Sequence, residues 1–195
     1  MNNVESLKSK FLVKTCAIER QGINDLLNWL DTSDFFTAPC STEFHLAKPE
    51  GLLEHSLNVY TLLLEKCERY QLDEYSLETI TICGLFHDLC KANFYVKGFK
   101  NVKLPNGQWD KKEVWEVKDQ VPLGHGEKSA MILQNFIKLT EEEQMAIRWH
   151  MGPWTPGAIE NYAQKKSYEA AVNVSTLVSL LFAADYEATR LLELG

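Results

Sequence analysis

The chain is organised around one heptapeptide, Leu85-Phe86-His87-Asp88-Leu89-Cys90-Lys91. A histidine and an aspartate stand side by side where an apolar run ends, and a lysine follows the aspartate by three positions. Chance produces a His-Asp pair in about one in three or four chains of this composition. The pair is informative because other polar residues also occupy apolar or helix-end positions in the chain. These residues are His55, His125, His150 and Asp185.

The composition is typical of one globular domain covering residues 1–195, with 45% hydrophobic and 24% charged residues. No apolar run reaches the roughly 18 to 20 residues that span a bilayer, and the N-terminus lacks the regions of a secretory signal. We therefore expect a cytoplasmic protein with no membrane partner. The formal net charge of −7 disfavours a general nucleic-acid coat but allows a local basic patch. Nothing in the sequence indicates the oligomeric state.

The cysteines indicate reduced thiols rather than a disulfide framework. There are five, an odd number, and none are in C-x-x-C spacing. One alternative uses a thiol in catalysis, because Cys90 follows His87 by three positions and would share a helix face with it. That alternative leaves the other histidines without a role, whereas a metal site uses them.

Apolar residues recur at helical spacing along most of the chain, which predicts an all-α fold. Two N-terminal helices lie within residues 1–35, and the first apolar stripe consists of Val4, Leu7, Phe11 and Leu12. The other predicted helices cover about residues 52–70, 76–88, 125–139, 140–150 and 168–192.

Local signals mark two helix starts and one loop. Ser76 is predicted to be an N-cap, and Thr140-Glu141-Glu142-Glu143 is a capping box. Prolines at 39 and 49 frame a loop that contains His45.

A hairpin is predicted over about residues 94–118, because Pro105-Asn106-Gly107 separates two runs with alternating apolar residues. Residues 91–118 carry seven lysines and three acids, a net charge of +4 that leaves −11 for the remainder. In one interpretation the lysines only protect solvated strand edges from aggregation. In the other, the hairpin is a basic flap beside a site for phosphate and bases, with aromatic residues available for stacking: Phe94, Tyr95, Phe99, Trp109 and Trp115.

Six polar side chains lie at predicted helix ends or in apolar runs: His55, His87, Asp88, His125, His150 and Asp185. Asp185 interrupts the most apolar helix, and a buried ionised carboxylate costs several kcal/mol unless it is paired or binds a cation. Imidazole nitrogens combined with carboxylate oxygens favour iron, manganese, cobalt, nickel or zinc over calcium. We therefore predict a site for one or two divalent transition-metal ions, and two ions sharing Asp88 would use all six side chains.

This series resembles the ligand pattern of the HD-domain metal-dependent phosphohydrolase superfamily, in particular its two-metal branch. The resemblance spans about residues 36–190. It rests on the heptapeptide quoted above and on three further segments: Gly51-Leu52-Leu53-Glu54-His55-Ser56, His125-Gly126-Glu127-Lys128-Ser129 and Ala184-Asp185.

The resemblance implies a single HD-type helical bundle, with the hairpin as an insertion and residues 1–35 as an extension outside the common core. It also implies two sets of ligands, which are His55, His87, Asp88 and Asp185 for one ion and Asp88, His125 and His150 for a second. Because single-metal members of the family do without the last two histidines, occupancy by one or by two ions is compatible with the pattern. Lys91 matches the family's lysine after the HD pair, where it would meet a substrate phosphate.

The implied activity is hydrolysis of a phosphoester by metal-activated water, with Asp88 and Lys91 as catalytic residues. His45 has no ligand position left. It either contacts the phosphate or protonates the leaving oxygen, or it is an ordinary loop histidine. The acidic chain disfavours long nucleic acid, whereas the basic aromatic hairpin favours a small phosphoester that bears bases, a nucleotide or a short single-stranded nucleic acid.

Two other classes of function stay open. Some helical proteins with this ligand set use a di-iron pair to oxidise a substrate with oxygen. A binding module that keeps the metal for stability and has lost turnover is the second.

Overall fold

The computed structural model describes residues 6–194, which form eight α-helices and one two-stranded antiparallel hairpin. In chain order these are α1 (Leu7–Thr15), α2 (Ile23–Thr32), α3 (Gly51–Tyr70), α4 (Leu77–Phe86), β1 (Tyr95–Lys103), β2 (Trp109–Val117), α5 (His125–Gln134), α6 (Glu141–Arg148), α7 (Tyr162–Val174) and α8 (Thr176–Glu187). Short helical turns follow α4, α6 and α8, at Leu89–Lys91, Gly152–Trp154 and Ala188–Leu192. The predicted helical fold with a small inserted hairpin is confirmed.

Local sequence determines where two of the helices begin. Ser76 Oγ accepts the N–H of Thr79 at 3.1 Å at the start of α4. Thr140 Oγ1 accepts the N–H of Glu143 at 3.2 Å, and the Glu143 carboxylate accepts the N–H of Thr140 at 2.8 Å. These bonds satisfy amides that have no partner within the first turn of a helix. Both predicted start signals are confirmed.

One hydrophobic core joins the N-terminal helices to the rest of the bundle. Phe11 of α1 is fully buried, and its ring packs edge-on against Phe86 of α4 with 5.7 Å between centroids. Leu26 and Leu30 of α2 belong to the same core. Burying each such side chain contributes about 1.5–3 kcal/mol. Val4, from the first predicted stripe, lies outside the described residues.

Two glycines allow close approach of the helices that carry the predicted ligands. A Cβ atom at Gly84 of α4 would lie 2.6 Å from the Cα of Tyr60 in α3. A Cβ atom at Gly126 of α5 would lie 2.2 Å from the carbonyl oxygen of Arg148 at the end of α6. Both distances are shorter than van der Waals contact, so any larger residue would push the helices apart.

The single helix predicted over residues 168–192 is wrong. α7 and α8 meet at Ser175, whose backbone is extended with φ −138° and ψ 123°. The Tyr75 hydroxyl oxygen accepts the N–H of Leu177 at 3.2 Å, and the Ser175 hydroxyl donates to the Glu142 carboxylate at 3.0 Å. Because this stretch contains no glycine or proline, its break depends on these tertiary contacts and not on a local signal.

The helix predicted over residues 125–139 is also too long, since α5 ends at Gln134. A tight turn follows, in which the N–H of Phe136 donates to the carbonyl three residues earlier at 2.9 Å. Ile137 and Leu139 are buried beyond this turn. The apolar residues that suggested a longer helix therefore reach the core through a turn.

The hairpin pairs nine positions on each strand, from Tyr95 opposite Val117 to Lys103 opposite Trp109. Its tip contains Pro105-Asn106-Gly107 as predicted, and Gly107 adopts φ +85°. That conformation is favourable for glycine and common in three-residue hairpin loops.

Within residues 6–194, no single helix combines the length and the apolar composition needed to cross a membrane. The segments Tyr162–Val174 and Thr176–Leu192 meet both requirements only when taken together, and they are bent by 105° at their junction.

Candidate metal centre

The six predicted ligand side chains converge at one end of the bundle. His55 lies in α3, His87 and Asp88 follow α4, His125 opens α5, His150 follows α6, and Asp185 lies in α8. Their side chains are between 0% and 15% exposed, apart from His125 at 26%. Most of these residues therefore stand at or near helix ends.

Asp88 lies at the centre of the cluster, and its two carboxylate oxygens face different histidines. Oδ2 lies 3.5 Å from Nε2 of His55 and 3.6 Å from Nε2 of His87. Oδ1 lies 2.7 Å from Nε2 of His125 and 3.4 Å from Nε2 of His150. One carboxylate thus divides the histidines into two pairs, as a carboxylate that bridges two cations would.

Asp185 completes the group on the Oδ2 side of Asp88. Its Oδ1 lies 3.2 Å from Nε2 of His55, which is in turn 3.1 Å from Nε2 of His87. Donor atoms about 2.0–2.2 Å from one tetrahedral ion lie about 3.3–3.6 Å from each other. The separations between donors in the cluster are therefore close to those that a transition-metal ion requires.

Backbone carbonyls determine the tautomers of His87 and His150. Nδ1 of His87 donates to the carbonyl of Gly84 at 3.0 Å, and Nδ1 of His150 donates to that of Ile147 at 2.7 Å. Each Nε2 therefore directs a lone pair into the cluster. Nε2 of His150 is buried without a hydrogen-bond partner among residues 6–194. Such an atom is costly to bury unless a cation or donor meets it, so the cluster fits a metal ion.

Glu193 orients the remaining buried histidine, His55. Its carboxylate accepts the Nδ1–H of His55 at 3.0 Å, and Asn58 Nδ2 donates to the same carboxylate at 2.9 Å. Glu193 is 4% exposed. A carboxylate on the far ring nitrogen directs Nε2 into the cluster and raises the basicity of the imidazole.

Sequence reasoning did not identify Glu193, although a signal was present. Glu193 stands alone in the apolar run Leu191-Leu192-Glu193-Leu194, as Asp185 does in α8. The three leucines are exposed, so the run is not part of a buried helical stripe. The turn at Ala188–Leu192 directs the acid inward instead of the leucines.

Lys91 and His45, the two predicted catalytic residues that are not ligands, both lie beside the cluster. Lys91 Nζ lies 2.7 Å from Oδ2 of Asp88 and 3.4 Å from Sγ of Cys40. Nε2 of His45 lies 3.4 Å from the same sulfur, and the rings of His45 and His55 are 5.4 Å apart. Cys40 carried no sequence signal, because its place depends on how the loop before α3 folds back.

Cys90 has a different neighbour from the one that its spacing predicted. Its Sγ lies 3.4 Å from Nδ1 of His125, whereas His87 directs its ring toward the other histidines. The residue is 3% exposed and does not line the cavity beside the cluster. A nucleophilic thiol must reach its substrate, so this position disfavours the Cys/His alternative.

Burial and charge act in opposite directions on the histidines. Burial lowers the pKa of His87 to about 3. Burial alone would also lower the pKa of His125, but Cys90 and Asp88 raise that pKa to about 10. Although burial alone would raise the pKa of Asp88, Lys91 and His125 hold it well below its usual range. Without a metal, Asp88 is thus a carboxylate neutralised by its basic neighbours.

The pKa of His55 is raised, as that of His125 is. Burial alone would lower its pKa, but Cys40, Asp185 and Glu193 together raise it well above its ordinary value. Burial keeps the Cys40 thiol protonated at neutral pH by raising its pKa, so the two carboxylates are the relevant partners there. His55 is consequently charged in the metal-free protein.

A cavity of about 430 Å³ opens onto the cluster. Asp88, His125 and Asp185 line it from the cluster side, and Lys91 and Arg190 supply positive charge. Its size falls within the range of small-molecule sites. The rest of its wall includes the aromatic side chains of Tyr95, Trp154, Phe182 and Tyr186.

The fold and the cluster define a helical protein with a candidate metal centre of nitrogen and oxygen ligands. The HD domain family model matches residues 52–190, and the chain belongs to the HD-domain family. Members of this family bind divalent metal ions and are mostly metal-dependent phosphohydrolases. Neither curated proteins nor solved structures gave a match. The matched residues include the six predicted ligands and Lys91, whereas His45 and Glu193 lie outside them.

Replacing Glu193 with glutamine is expected to weaken divalent-metal binding about 10- to 100-fold, because the charge that orients and polarises His55 is lost. Competition titration against a fluorescent chelator measures the affinity. Glu169→Gln is the matched control, since Glu169 forms surface ion pairs with nearby lysines. Equal affinities of the wild type and Glu193→Gln would contradict the orienting role.

Metal binding at neutral pH is expected to release about two protons, because His55 and His125 are charged without metal and must be neutral to bind it. Their raised pKa values place protons in competition with the metal, so affinity is expected to increase from about pH 6 to about pH 8. Calorimetry in buffers with different ionisation enthalpies measures the proton release. An affinity independent of pH over that range would show that these histidines are not ligands.

Proposed function

We propose that this protein hydrolyses a phosphoester of a nucleotide or short oligonucleotide, using one or two divalent transition-metal ions. The observation that carries the proposal is the central position of Asp88, whose oxygens face one histidine pair each. His55, His87, Asp88 and Asp185 would hold one ion, and Asp88, His125 and His150 would hold a second.

The proposed chemistry requires positive charge around the phosphoryl group. Bound ions of this kind supply a water acidified to near-neutral pKa and neutralise charge on the phosphoryl oxygens. Lys91 lines the cavity next to the cluster and is suited to stabilise charge that develops on those oxygens. Arg190 lines the same cavity, and its guanidinium matches the geometry of phosphate oxygens.

Aromatic rings in the cavity support a substrate that bears a base. The rings of Trp154 and Tyr186 stack with 5.2 Å between centroids and an interplanar angle of 6°. The ring centroids of Phe182 and Trp154 are 5.6 Å apart. Trp154 is 57% exposed at the cavity. A nucleotide would place its phosphate at the cations and its base against these rings.

Of the two catalytic roles considered for His45, contact with the substrate phosphate is the one that we propose. Burial and the charge of Lys91 lower the pKa of His45, so its imidazole is neutral at neutral pH. A neutral imidazole can donate a hydrogen bond from one ring nitrogen, but it is a poor acid for protonating a leaving oxygen.

A phosphoesterase panel on the metal-loaded 195-residue chain tests the proposal. The substrates are nucleoside monophosphates, cyclic dinucleotides, deoxynucleoside triphosphates and short oligonucleotides, with product release followed by chromatography. We expect metal-dependent release from at least one of them. Full metal loading without any release would contradict the proposal and indicate a binding module. Oxygen uptake with a mixed-valence iron signal would instead indicate a di-iron oxygenase.

A further inference from the structure

The hairpin of β1 and β2 is a long, solvated arm beside the cavity. At about 3.3 Å per residue, its nine paired positions extend about 30 Å. Most of its residues are exposed on both sides. An isolated two-stranded hairpin is only marginally stable in water, so a ligand that covers one side would stabilise it.

The two sides of this hairpin differ in chemistry. Residues opposite each other in an antiparallel pair lie on the same side, and side chains alternate along each strand. By the observed register, Tyr95, Phe99, Trp109 and Trp115 all lie on one side, which we call the aromatic face. The opposite face carries no aromatic side chain.

The two faces of the hairpin also differ in net charge. The charged residues of the aromatic face are Lys97, Lys103, Lys111 and Glu113, and those of the opposite face are Lys100, Lys112, Asp110 and Glu116. The aromatic face therefore carries a net charge of +2, and the opposite face carries none. Positive charge and rings coincide on one side of the arm.

The aromatic face is continuous with the cavity of the candidate metal centre. Its first cross-strand pair, Tyr95 and Val117, lines that cavity. The Tyr95 hydroxyl donates to the carbonyl of Cys40 at 3.1 Å, which fixes this end of the arm next to the cluster. Toward the tip, Phe99 and Trp109 are 67% and 70% exposed. Rings therefore run from the cavity wall to the end of the arm.

We propose that the aromatic face binds a single-stranded nucleic acid and directs one end of the strand into the cavity. The proposal rests on the proposed function and narrows its substrate to an oligonucleotide. Unpaired bases stack on exposed rings regardless of sequence, and interspersed lysines bind the phosphates. The rest of the chain carries a net negative charge that repels a polyanion, which favours binding of the strand along this arm.

Fluorescence anisotropy with a labelled single-stranded oligonucleotide of about twelve nucleotides tests the binding. The 195-residue chain is used, and the oligonucleotide is checked for cleavage afterwards. In the double variant Phe99→Ala with Trp109→Ala, affinity is expected to fall about 25-fold or more, because each stacked base contributes at least about fivefold. Deoxy- and ribo-oligonucleotides are compared, and binding of either supports the proposal.

Two adjacent lysines on opposite faces provide a matched pair of variants. Lys111 lies opposite Asn101 on the aromatic face, whereas Lys112 lies opposite Lys100 on the other face. The slope of log affinity against log salt is negative, and Lys111→Ala is expected to make it less steep by about 0.7, whereas Lys112→Ala is expected to leave it unchanged. Equal effects of both variants, or wild-type affinity in the double variant, would overturn the proposal.

The remaining outcomes separate this proposal from the proposed function. Hydrolysis of a mononucleotide without oligonucleotide binding would overturn the aromatic-face proposal alone. Binding that depends on the aromatic face, without any hydrolysis, would support it while the proposed function fails. Preference for duplex would overturn it, because paired bases cannot stack on the rings. A dimer that the double variant dissociates would also overturn it, since a second copy would then cover the face.

Discussion

Replacing Asp88 with asparagine is expected to lower the proposed phosphoester hydrolysis by a factor of about a thousand or more. The metal ions of such sites contribute several kcal/mol to transition-state stabilisation, and each 1.36 kcal/mol is a factor of ten. Asparagine keeps the size of the side chain but not the charge that both histidine pairs and Lys91 share. Initial rates on the best substrate of the panel measure the effect.

Asp119→Asn is the matched control for this prediction, because Asp119 pairs with Lys128 and does not line the cavity. Asp88→Asn leaves the charge of Lys91 without its carboxylate, so a fold defect must be separated from a catalytic one. The double variant Asp88→Asn with Lys91→Met removes both members of this ion pair, which is often close to neutral for stability. Substantial activity in a folded Asp88 variant would refute the central role of this carboxylate.

Replacing Arg20 with alanine is expected to destabilise the fold by about 3–5 kcal/mol, the range typical of breaking a buried ion pair. Arg20 Nη2 donates to Oε1 of Glu143 at 2.8 Å, and its Nε donates to Glu78 at 3.3 Å. Glu143 is completely buried, so the variant leaves its carboxylate without a cation. Through Glu78 and Glu143, Arg20 joins the segment between α1 and α2 to the starts of α4 and α6.

Urea denaturation measures this effect as a shift of the midpoint at constant slope. Lys8→Ala is the control, because the pair of Lys8 with Asp31 is about half exposed and contributes at most about 1 kcal/mol. Similar shifts for both variants would show that the Arg20–Glu143 pair adds no more than a surface pair does.

The predictable parts of the fold are those with local causes. Ser76 and the Thr140 capping box determine helix starts through bonds within four residues, and Pro105-Asn106-Gly107 forms the hairpin turn. The break at Ser175 has no such cause, since the hydroxyl of Tyr75, distant in sequence, accepts the N–H of Leu177 in the first turn of α8. A helical period continues across the break, so the pattern alone predicts one helix.

The residues of the site also fall into those that the sequence predicts and those that only the tertiary structure reveals. Its histidines and aspartates were predictable because their residue types are unusual at helix ends and in apolar runs, and their pattern belongs to a family. Cys40, Arg190 and Glu193 reach the site through loop or turn conformations that no periodicity encodes. The substrate stays a proposal, since it depends on side chains around the cavity and on the hairpin.

Metal content is the most direct test of the proposed centre. Elemental analysis of the purified protein is compared between the wild type and the double variant His87→Ala with Asp88→Ala. We expect one or two transition-metal ions per chain in the wild type and none in the folded variant. A wild type free of transition metal after loading, or a variant that binds as much as the wild type, would contradict the metal centre.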